Sequence, residues 1–371
     1  MQFIDLKKQY EVLKEDMNKA IQKVLDNGHY IGGEEVRQLE CELAEYVGVK
    51  HCLACANGTD ALTLALRCFE IGEGDAVFVP DFTFFATAEV VSLEKATPIF
   101  VDVEERTFNM DPKSLEDAIT AVINEGRLKP KAIIAVDLFG QVADFLKIRK
   151  IADKYKLALI EDGAQGFGGS INGRLACSFG DISTTSFFPA KPVGCYGDGG
   201  AIFTNNDEHY ALLQSLAVHG KGSDKYDNVR IGYNSRLDTI QAAILLVKLE
   251  AFKTFELNRR NILADRYKEK LTNKYVTPYV PKGFISSWAQ YTLILKDVDD
   301  RNIIQAKLKD NDIPTMVYYP VPMHMETAFK NVKNYADLSV SKRLSQTVMS
   351  IPMHPYMDDK TQTNIISALM E

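Results

Sequence analysis

The sequence predicts an α/β protein: a large domain built on a mostly parallel β-sheet between helices, followed by a smaller α+β domain at the C-terminus. Between residues 51 and 205, short and almost wholly apolar segments alternate with helical segments. Such continuous apolar strands are typical of parallel sheets that are covered on both faces. After residue 234 this alternation stops and helical spacing dominates. The large domain is therefore predicted over residues 1–250 and the small one over residues 251–371, with residues 1–30 packing on the small domain.

The elements of the large domain follow from apolar spacing and turn residues. Helices are predicted at residues 10–26 and 34–47, where apolar residues recur every three or four positions, and the stretch NGHYIGG separates them. Apolar runs bounded by turn residues predict the strands. In chain order these are HCLACANG, AVFVP, TPIFVDV, KAIIAVDLFG, LALIEDGAQ, ISTTSFF and GAIFTN, with the helix TDALTLALRCF after the first of them.

The C-terminal third begins with one long helix or two joined helices over residues 235–271. Beyond it, two strands and three helices are predicted from the same signals. The strands are AQYTLIL and PTMVYYP, and the helices are RNIIQAKLKDN, SKRLSQTVMS and the C-terminal segment.

Composition excludes several classes of protein. The chain has 371 residues, of which 46% are hydrophobic, and a formal net charge of −7, which argues against general nucleic-acid binding. The N-terminus has no apolar signal region, and no apolar run approaches the roughly 18–20 residues of a membrane span. Cys52 and Cys55 form a lone CLAC without a second pair, so no metal site is predicted. We expect reduced thiols and a cytoplasmic protein without nucleic-acid or membrane partners.

The stretch Asn57-Gly58-Thr59-Asp60 lies where a strand gives way to a helix. Glycine allows a close approach of the backbone to a ligand, and the start of a helix presents free N–H groups. These residues could bind a phosphate group, with the hydroxyl of Thr59 as a further donor. An ordinary helix cap explains the same residues, and the stretch alone does not decide between the two.

A second unusual stretch is the end of the strand in ALIEDGAQGFGG. Asp162 follows an apolar run, and a carboxylate there is costly to bury unless it meets a positive partner. Gln165 could face the same pocket. A helix-capping role for Asp162 remains the alternative.

Lys191 lies in SFFPAKPVGCYGDGG, a setting of prolines, glycines and aromatic residues that is uncommon for a surface lysine. Pro189 and Pro192 stiffen the backbone on either side. Desolvation lowers the pKa of a lysine and exposes a nucleophilic amine, which suits a Schiff base. A structural lysine with its tip in solvent is the alternative.

A cationic loop precedes the long helix. Lys221, Lys225, Arg230 and Arg236 exceed the acidic residues around them. On an acidic protein such a loop could contact a diphosphate. A solvated loop would have the same composition.

Taken together, these motifs resemble those of the DegT/DnrJ type of sugar aminotransferase, which depends on pyridoxal phosphate. The shared features are the Gly-Thr-Asp-Ala helix start, the strand ending in Glu-Asp-Gly-Ala-Gln, SFFPAKPVGCYGDGGAIFTN and YNSRLDTIQAA, in this order and at this spacing. The resemblance extends from FIDLKKQY to MSIPMHPYMD and implies a fold-type I aminotransferase.

The resemblance implies a role for each matching residue. Lys191 matches the lysine that binds pyridoxal phosphate covalently, and Asp162 matches the carboxylate that faces the pyridine nitrogen. Gln165 matches a residue near the ring hydroxyl, and Phe84 matches an aromatic residue stacked on the ring. Gly58, Thr59 and Ser186 match the phosphate site.

The resemblance also implies a homodimer with shared active sites. Asn234 matches a residue that reaches the cofactor phosphate of the neighbouring subunit. Arg236, Tyr318 and Tyr319 match positions on the substrate side. Tyr318 is a departure, because similar members often have His-Tyr where this chain has Tyr-Tyr.

The implied reaction is transamination of a nucleotide-linked keto sugar with glutamate as the amino donor. The motifs are most similar to those of members that act on UDP-2-acetamido-2-deoxy-3-oxo-glucuronate in the biosynthesis of bacterial surface polysaccharides such as the O-antigen of lipopolysaccharide. A dTDP-3-oxo-6-deoxyhexose is the alternative substrate. A dehydratase would have histidine in place of Lys191, and a non-catalytic regulator on the same fold would not need the complete set of site residues.

Overall fold

Seven strands form one β-sheet in the computed structural model, which describes residues 1–224 and 226–371; the predicted loop cation Lys225 lies outside the described residues. The strands of this sheet are β1 His51–Cys55, β2 Asp75–Pro80, β3 Thr97–Val101, β4 Lys129–Val136, β5 Ala158–Asp162, β8 Ile182–Ser186 and β9 Gly200–Thr204. The remaining strands, which form two small sheets, are β6 Ser170–Ile171, β7 Arg174–Leu175, β10 Phe284–Ile285, β11 Tyr291–Ile294 and β12 Val348–Ile351.

The large sheet has the strand order β1-β9-β8-β5-β4-β2-β3. Its pairs from β8 to β3 are parallel, whereas β9 is antiparallel to both β8 and β1. The prediction of a mostly parallel sheet is therefore confirmed. In the parallel part, Pro80 pairs with Val101 and Val136 pairs with Asp162, so these strands end at one common edge.

Helices cover both faces of this sheet, which explains why its strands are apolar throughout. Along β2, Val77 and Val79 pack into one buried layer, while Phe78 packs into the other. The helices are α1 Leu6–Asn27, α2 Glu34–Val47, α3 Gly58–Cys68, α4 Ala86–Leu93, α5 Pro112–Glu125, α6 Phe145–Tyr155, α7 Asp207–Ala217, α8 Thr239–Ala251, α9 Leu257–Leu271, α10 Val298–Asp310, α11 Ser339–Thr347 and α12 Asp359–Met370. A π-helical turn, Phe252–Glu256, joins α8 to α9, so the two helices are continuous, as the sequence predicts.

Two predictions for the C-terminal third are wrong. The segment PTMVYYP is not a strand: its Met316 pairs with Ser350, and irregular chain follows towards Pro320. The predicted helix SKRLSQTVMS ends at Thr347, and the chain then continues as β12, which pairs with β11. The residues of β12 are fully buried, so packing in the sheet determines their conformation rather than helical spacing.

The C-terminal residues have an apolar core of their own. It includes Tyr267, Leu308, Met349 and Ile365, which come from α9, α10, β12 and α12. The division at residue 250 stays a prediction, since α8 and α9 form one helical rod across that point.

The N-terminal helix α1 lies mainly along α8. Its contacts beyond α8 include a hydrogen bond of 3.0 Å from Gln9 Nε2 to Glu256 Oε1 and, just before the helix, an edge contact between the rings of Phe3 and Tyr318. The packing of residues 1–30 on the small domain likewise stays a prediction.

Within residues 1–224 and 226–371, no helix is long and apolar enough to cross a membrane, and no three or more His, Cys, Asp or Glu residues are grouped so that they could hold a metal ion.

Candidate active site

Four neighbouring strands end at aspartates along one edge of the large sheet. Asp81 follows β2, Asp102 follows β3, Asp137 follows β4, and Asp162 is the last residue of β5. Each of the four is buried, with at most 6% of its surface exposed, so each requires polar partners. Open α/β sheets bind their ligands at this carboxyl edge.

Asp162 is held by two hydrogen bonds. Thr87 Oγ1 donates to its Oδ2 at 3.0 Å, and the backbone N–H of Ala164 donates to its Oδ1 at 3.2 Å. Burial raises the pKa of Asp162, and the nearby charge of Lys191 opposes that rise. A positive group in front of this carboxylate would therefore be strongly favoured.

Lys191 lies in the turn after β8, where its backbone N–H donates to the carbonyl of Phe188 at 2.9 Å. Burial lowers the pKa of its amine, and the charge of Asp162 opposes that change. Within the part of the chain that the structure describes, no carboxylate oxygen lies within 4.0 Å of the Lys191 amine. The amine is thus near a negative charge without being neutralised by direct contact.

A second part of the site lies at the N-terminus of α3. The side chain of Asn57 caps this helix by accepting a hydrogen bond of 2.7 Å from the Asp60 N–H. The first N–H groups of a helix have no partner within it, so Gly58 and Thr59 present theirs outward. A Cβ on Gly58 would lie 2.8 Å from Cβ of Ser186, so only glycine lets the two segments meet this closely.

Aromatic residues form a further side of the site. Phe84 is 55% exposed, and its ring centroid lies 6.2 Å from that of Tyr319. The Tyr319 hydroxyl accepts a hydrogen bond of 3.1 Å from Gln165 Nε2, and Gln165 Oε1 in turn accepts one of 2.8 Å from the Phe139 N–H. An exposed phenylalanine ring beside a fixed tyrosine can stack on a planar ligand.

The match to a family of known proteins extends over nearly the whole chain. Residues 11–370 match the family described as the DegT/DnrJ/EryC1/StrS aminotransferase family. The chain belongs to this family. It is accordingly an aminotransferase, and the sequence-based prediction of a sugar aminotransferase is confirmed.

Similar proteins support the same assignment. The chain is 46% identical over 370 residues to the UDP-2-acetamido-2-deoxy-3-oxo-D-glucuronate aminotransferase of Pseudomonas aeruginosa, an alignment that covers 100% of this chain and 99% of the relative. The crystal structure of a DegT/DnrJ/EryC1/StrS aminotransferase from Brucella abortus has a TM-score of 0.97 and 49% identity, covering 100% of this chain and 98% of that one. A Bacillus subtilis structure with bound cofactor PMP has a TM-score of 0.91 and 30% identity, covering 100% and 84%.

Aminotransferases of this family depend on pyridoxal phosphate, and the residues of this chain fit that cofactor. Lys191 has an amine that could react with the aldehyde, and the buried Asp162 has a carboxylate whose charge would suit the pyridinium nitrogen. Gly58 lies close to Ser186 at the N-terminus of α3, an arrangement that suits a phosphate group. The exposed ring of Phe84 supplies a stacking surface.

Three of the predicted site residues are not among the residues that fit the cofactor. Asn234 and Arg236 are exposed, and Asn234 pairs through its backbone with Val218. Tyr318 is half-buried between the rings of Phe3 and Tyr319, at centroid distances of 6.3 and 5.9 Å. The predicted roles of these three residues stay predictions.

Two residues that position the site were not predicted from the sequence. Thr87 holds Asp162, and the backbone of Phe139 holds Gln165. Thr87 lies three residues after Phe84, which is a weak signal that it could face the same side. Phe139 acts through its N–H group, and an apolar residue type gives no signal of that role.

The opposing influences on Lys191 predict a pH dependence for cofactor attachment. Because burial lowers the pKa of Lys191, the rate at which the apoprotein binds pyridoxal phosphate covalently should rise with pH to a midpoint below 10.5. Asp162 raises that pKa, so Asp162→Asn should move the midpoint to a still lower pH. Stopped-flow absorbance between pH 6 and 10 measures both midpoints, with the exposed Asp153→Asn as the control. If Asp162→Asn raises the midpoint or leaves it unchanged, the charge of Asp162 does not raise the pKa of Lys191.

Proposed function

We propose that this aminotransferase transfers the amino group of glutamate to C3 of UDP-2-acetamido-2-deoxy-3-oxo-glucuronate. The observation that carries the proposal is that the charges of Lys191 and the buried Asp162 interact at the carboxyl edge of the sheet. The 46% identity to the Pseudomonas relative, over the full length of both chains, supports the choice of sugar.

The chain would hold pyridoxal phosphate at four points. Lys191 would bind it covalently, and Asp162 would keep the pyridine nitrogen protonated. The N–H groups of Gly58 and Thr59, together with the hydroxyl of Ser186, would hold its phosphate. When bound, the cofactor supplies an electron sink for the charge that develops at the carbon losing its proton.

The proton transfer itself falls to Lys191. With its Nζ free, this amine would take the proton from the α-carbon of glutamate and later deliver a proton to C3 of the sugar. Its lowered pKa makes the neutral, basic form more available than for a lysine in water. Thr87 and the Ala164 N–H keep Asp162 oriented throughout. 2-Oxoglutarate leaves before the keto sugar enters, which gives ping-pong kinetics.

The proposed sugar carries a carboxylate in addition to its diphosphate. Arg236 is exposed and has a planar guanidinium that matches carboxylate or phosphate oxygens. Tyr318 and Tyr319 would form the opposite wall of the sugar site. A second candidate is a dTDP-3-oxo-6-deoxyhexose, since the half-buried ring of Tyr318 offers an apolar surface to a 6-methyl group.

The working unit is proposed to be a homodimer in which Asn234 acts in the partner's site. Asn234 is exposed in the single chain, as are the apolar residues Val229 and Ile231 near it, at 53% and 86%. Exposed apolar side chains of this size are typical of an interface.

A cytoplasmic location and a role in making surface polysaccharide belong to the same proposal. All six cysteines lie within the described residues as free thiols, which suits a reducing compartment. A 3-amino sugar linked to UDP is a precursor suited to O-antigen assembly.

The substrate can be tested in the reverse direction with 2-oxoglutarate and amino-sugar nucleotides. The UDP-linked 3-amino uronate should react with a kcat/KM at least about 100-fold above those of its C6 alcohol analogue and of a dTDP-3-amino-3,6-dideoxyhexose, because only the uronate pairs with Arg236. Arg236→Gln should remove most of this preference. The control is Arg343→Gln, which changes an exposed arginine paired with Glu105 and should leave the preference intact.

A preference for the dTDP sugar would favour the second candidate. A colourless protein that pyridoxal phosphate cannot turn yellow would indicate a non-catalytic regulator.

The shared site predicts complementation between subunits. Lys191→Ala and Asn234→Ala proteins should each be nearly inactive alone. Mixing them under conditions that exchange subunits should restore about a quarter of wild-type activity, because half of the dimers are mixed and each has one intact site. Mass spectrometry of the intact dimers establishes that exchange has occurred. Activity that stays at the level of the parents after proven exchange would show that Asn234 acts within its own chain.

A further inference from the structure

Asp81 binds a segment that is 243 positions away in the sequence. Its carbonyl accepts a hydrogen bond of 2.8 Å from the Met323 N–H, and its Oδ1 accepts one of 2.8 Å from the His324 N–H. Its Oδ2 lies 2.7 Å from Nδ1 of the His324 ring. Asp81 is fully buried, so these contacts replace the water that the carboxylate loses on folding.

The segment that Asp81 holds is fixed at its other end as well. Met316 and Ser350 exchange two backbone hydrogen bonds, of 3.1 and 2.8 Å, at the edge of the small β11–β12 sheet. Between these two anchors, residues 317–322 form no regular strand or helix. The position of this stretch therefore depends on the anchors at its ends and on the packing of Val317, Tyr318 and Tyr319 against a buried apolar cluster.

Tyr319 lies in the middle of this segment, and Phe84 lies three residues after Asp81. The rings of Phe84 and Tyr319 are 6.2 Å apart, and Tyr319 is bonded to Gln165. Asp81 thus joins the loop that carries the proposed stacking ring to the segment that carries the proposed substrate-side tyrosine.

We propose that Asp81 and His324 form a latch that holds residues 316–325 over the active site and sets the position of Tyr319. Both are positioning residues, which act on the substrate through Tyr319. The latch rests on the proposed function for its kinetic consequence, but its structural consequence can be measured without any substrate.

The geometry specifies which substitutions should break the latch. Because an ionised Asp81 only accepts hydrogen bonds, the His324 proton must be on Nδ1. The amide nitrogen of an asparagine lies near the position of Nδ1, whereas that of a glutamine lies nearer Nε2. His324→Asn should preserve the side-chain contact of the latch, and His324→Leu and His324→Gln should remove it, which leaves only the two backbone hydrogen bonds to Asp81.

Amide hydrogen exchange, measured by mass spectrometry on the full-length protein, tests the latch directly. In His324→Leu and His324→Gln, exchange within residues 316–325 should be at least about tenfold faster than in the wild type, while the strands of the large sheet keep their protection. His324→Asn should stay within about threefold of the wild type. Unchanged exchange in both disrupting variants, or equal acceleration in all three, would overturn the proposal. If His324→Leu does not fold, the comparison of His324→Gln with His324→Asn still decides.

Kinetics then test whether the latch acts through Tyr319. His324→Gln should raise KM for the sugar nucleotide about tenfold and leave the rate of the glutamate half-reaction within about threefold. Combining it with Tyr319→Phe should cost less than the product of the two single losses, because both changes disturb the same residue. Fully multiplicative losses would show that His324 acts elsewhere.

The two proposals fail in different ways. A wild-type protein whose cofactor absorbance does not respond to glutamate would contradict the proposed function, and the exchange measurement would still decide the latch. If the wild-type cofactor responds to glutamate but amide exchange is unchanged in His324→Leu and His324→Gln, only the latch is contradicted.

Discussion

The attraction between the Asp162 carboxylate and the Lys191 amine is the interaction on which the rest of the site depends. Burial raises the pKa of Asp162 and lowers the pKa of Lys191, so burial disfavours the charged form of each group. The negative charge of Asp162 and the positive charge of Lys191 attract each other and oppose both shifts. Such an arrangement is costly for an empty protein and well suited to a cofactor that presents a cationic nitrogen to one group and an aldehyde to the other. Thr87 and the Ala164 N–H are the contacts that keep the acid in place.

The same sheet edge also binds the start of α11 and the segment around His324. Asp102 accepts hydrogen bonds from the N–H groups of Val340 and Ser341 at the start of α11, at 2.9 and 2.8 Å. Asp81 holds His324 in a comparable way. Neighbouring parallel strands therefore end in one residue type with different partners: the charge of Asp162 interacts with that of Lys191, whereas Asp81 and Asp102 bind backbone from the C-terminal third.

Much of this could be predicted from the sequence, because the signals are local. Apolar runs that alternate with helices predict the parallel sheet, and a lysine among prolines and glycines stands out at Lys191. Other features depend on contacts that spacing does not reveal. The segment around Tyr319 has the composition of a strand, yet it is irregular chain that is held by Ser350 and Asp81 at its ends and by Gln165 between them. Likewise, the residues after Thr347 continue a helical pattern but form β12, because a buried partner strand is available. The latch between Asp81 and His324 joins residues 243 positions apart and leaves no trace in local composition.

The central proposal, that Lys191 binds the cofactor, is tested most directly by identifying the modified lysine. Lys248 is a meaningful competitor: burial lowers its pKa to about 8, and its amine lies 4.4 Å from the centroid of the Tyr196 ring. Borohydride reduction of the protein loaded with pyridoxal phosphate, followed by peptide mass spectrometry, identifies the modified residue. We expect one phosphopyridoxyl group per chain, on Lys191. Modification of Lys248, or of no lysine, would contradict this proposal.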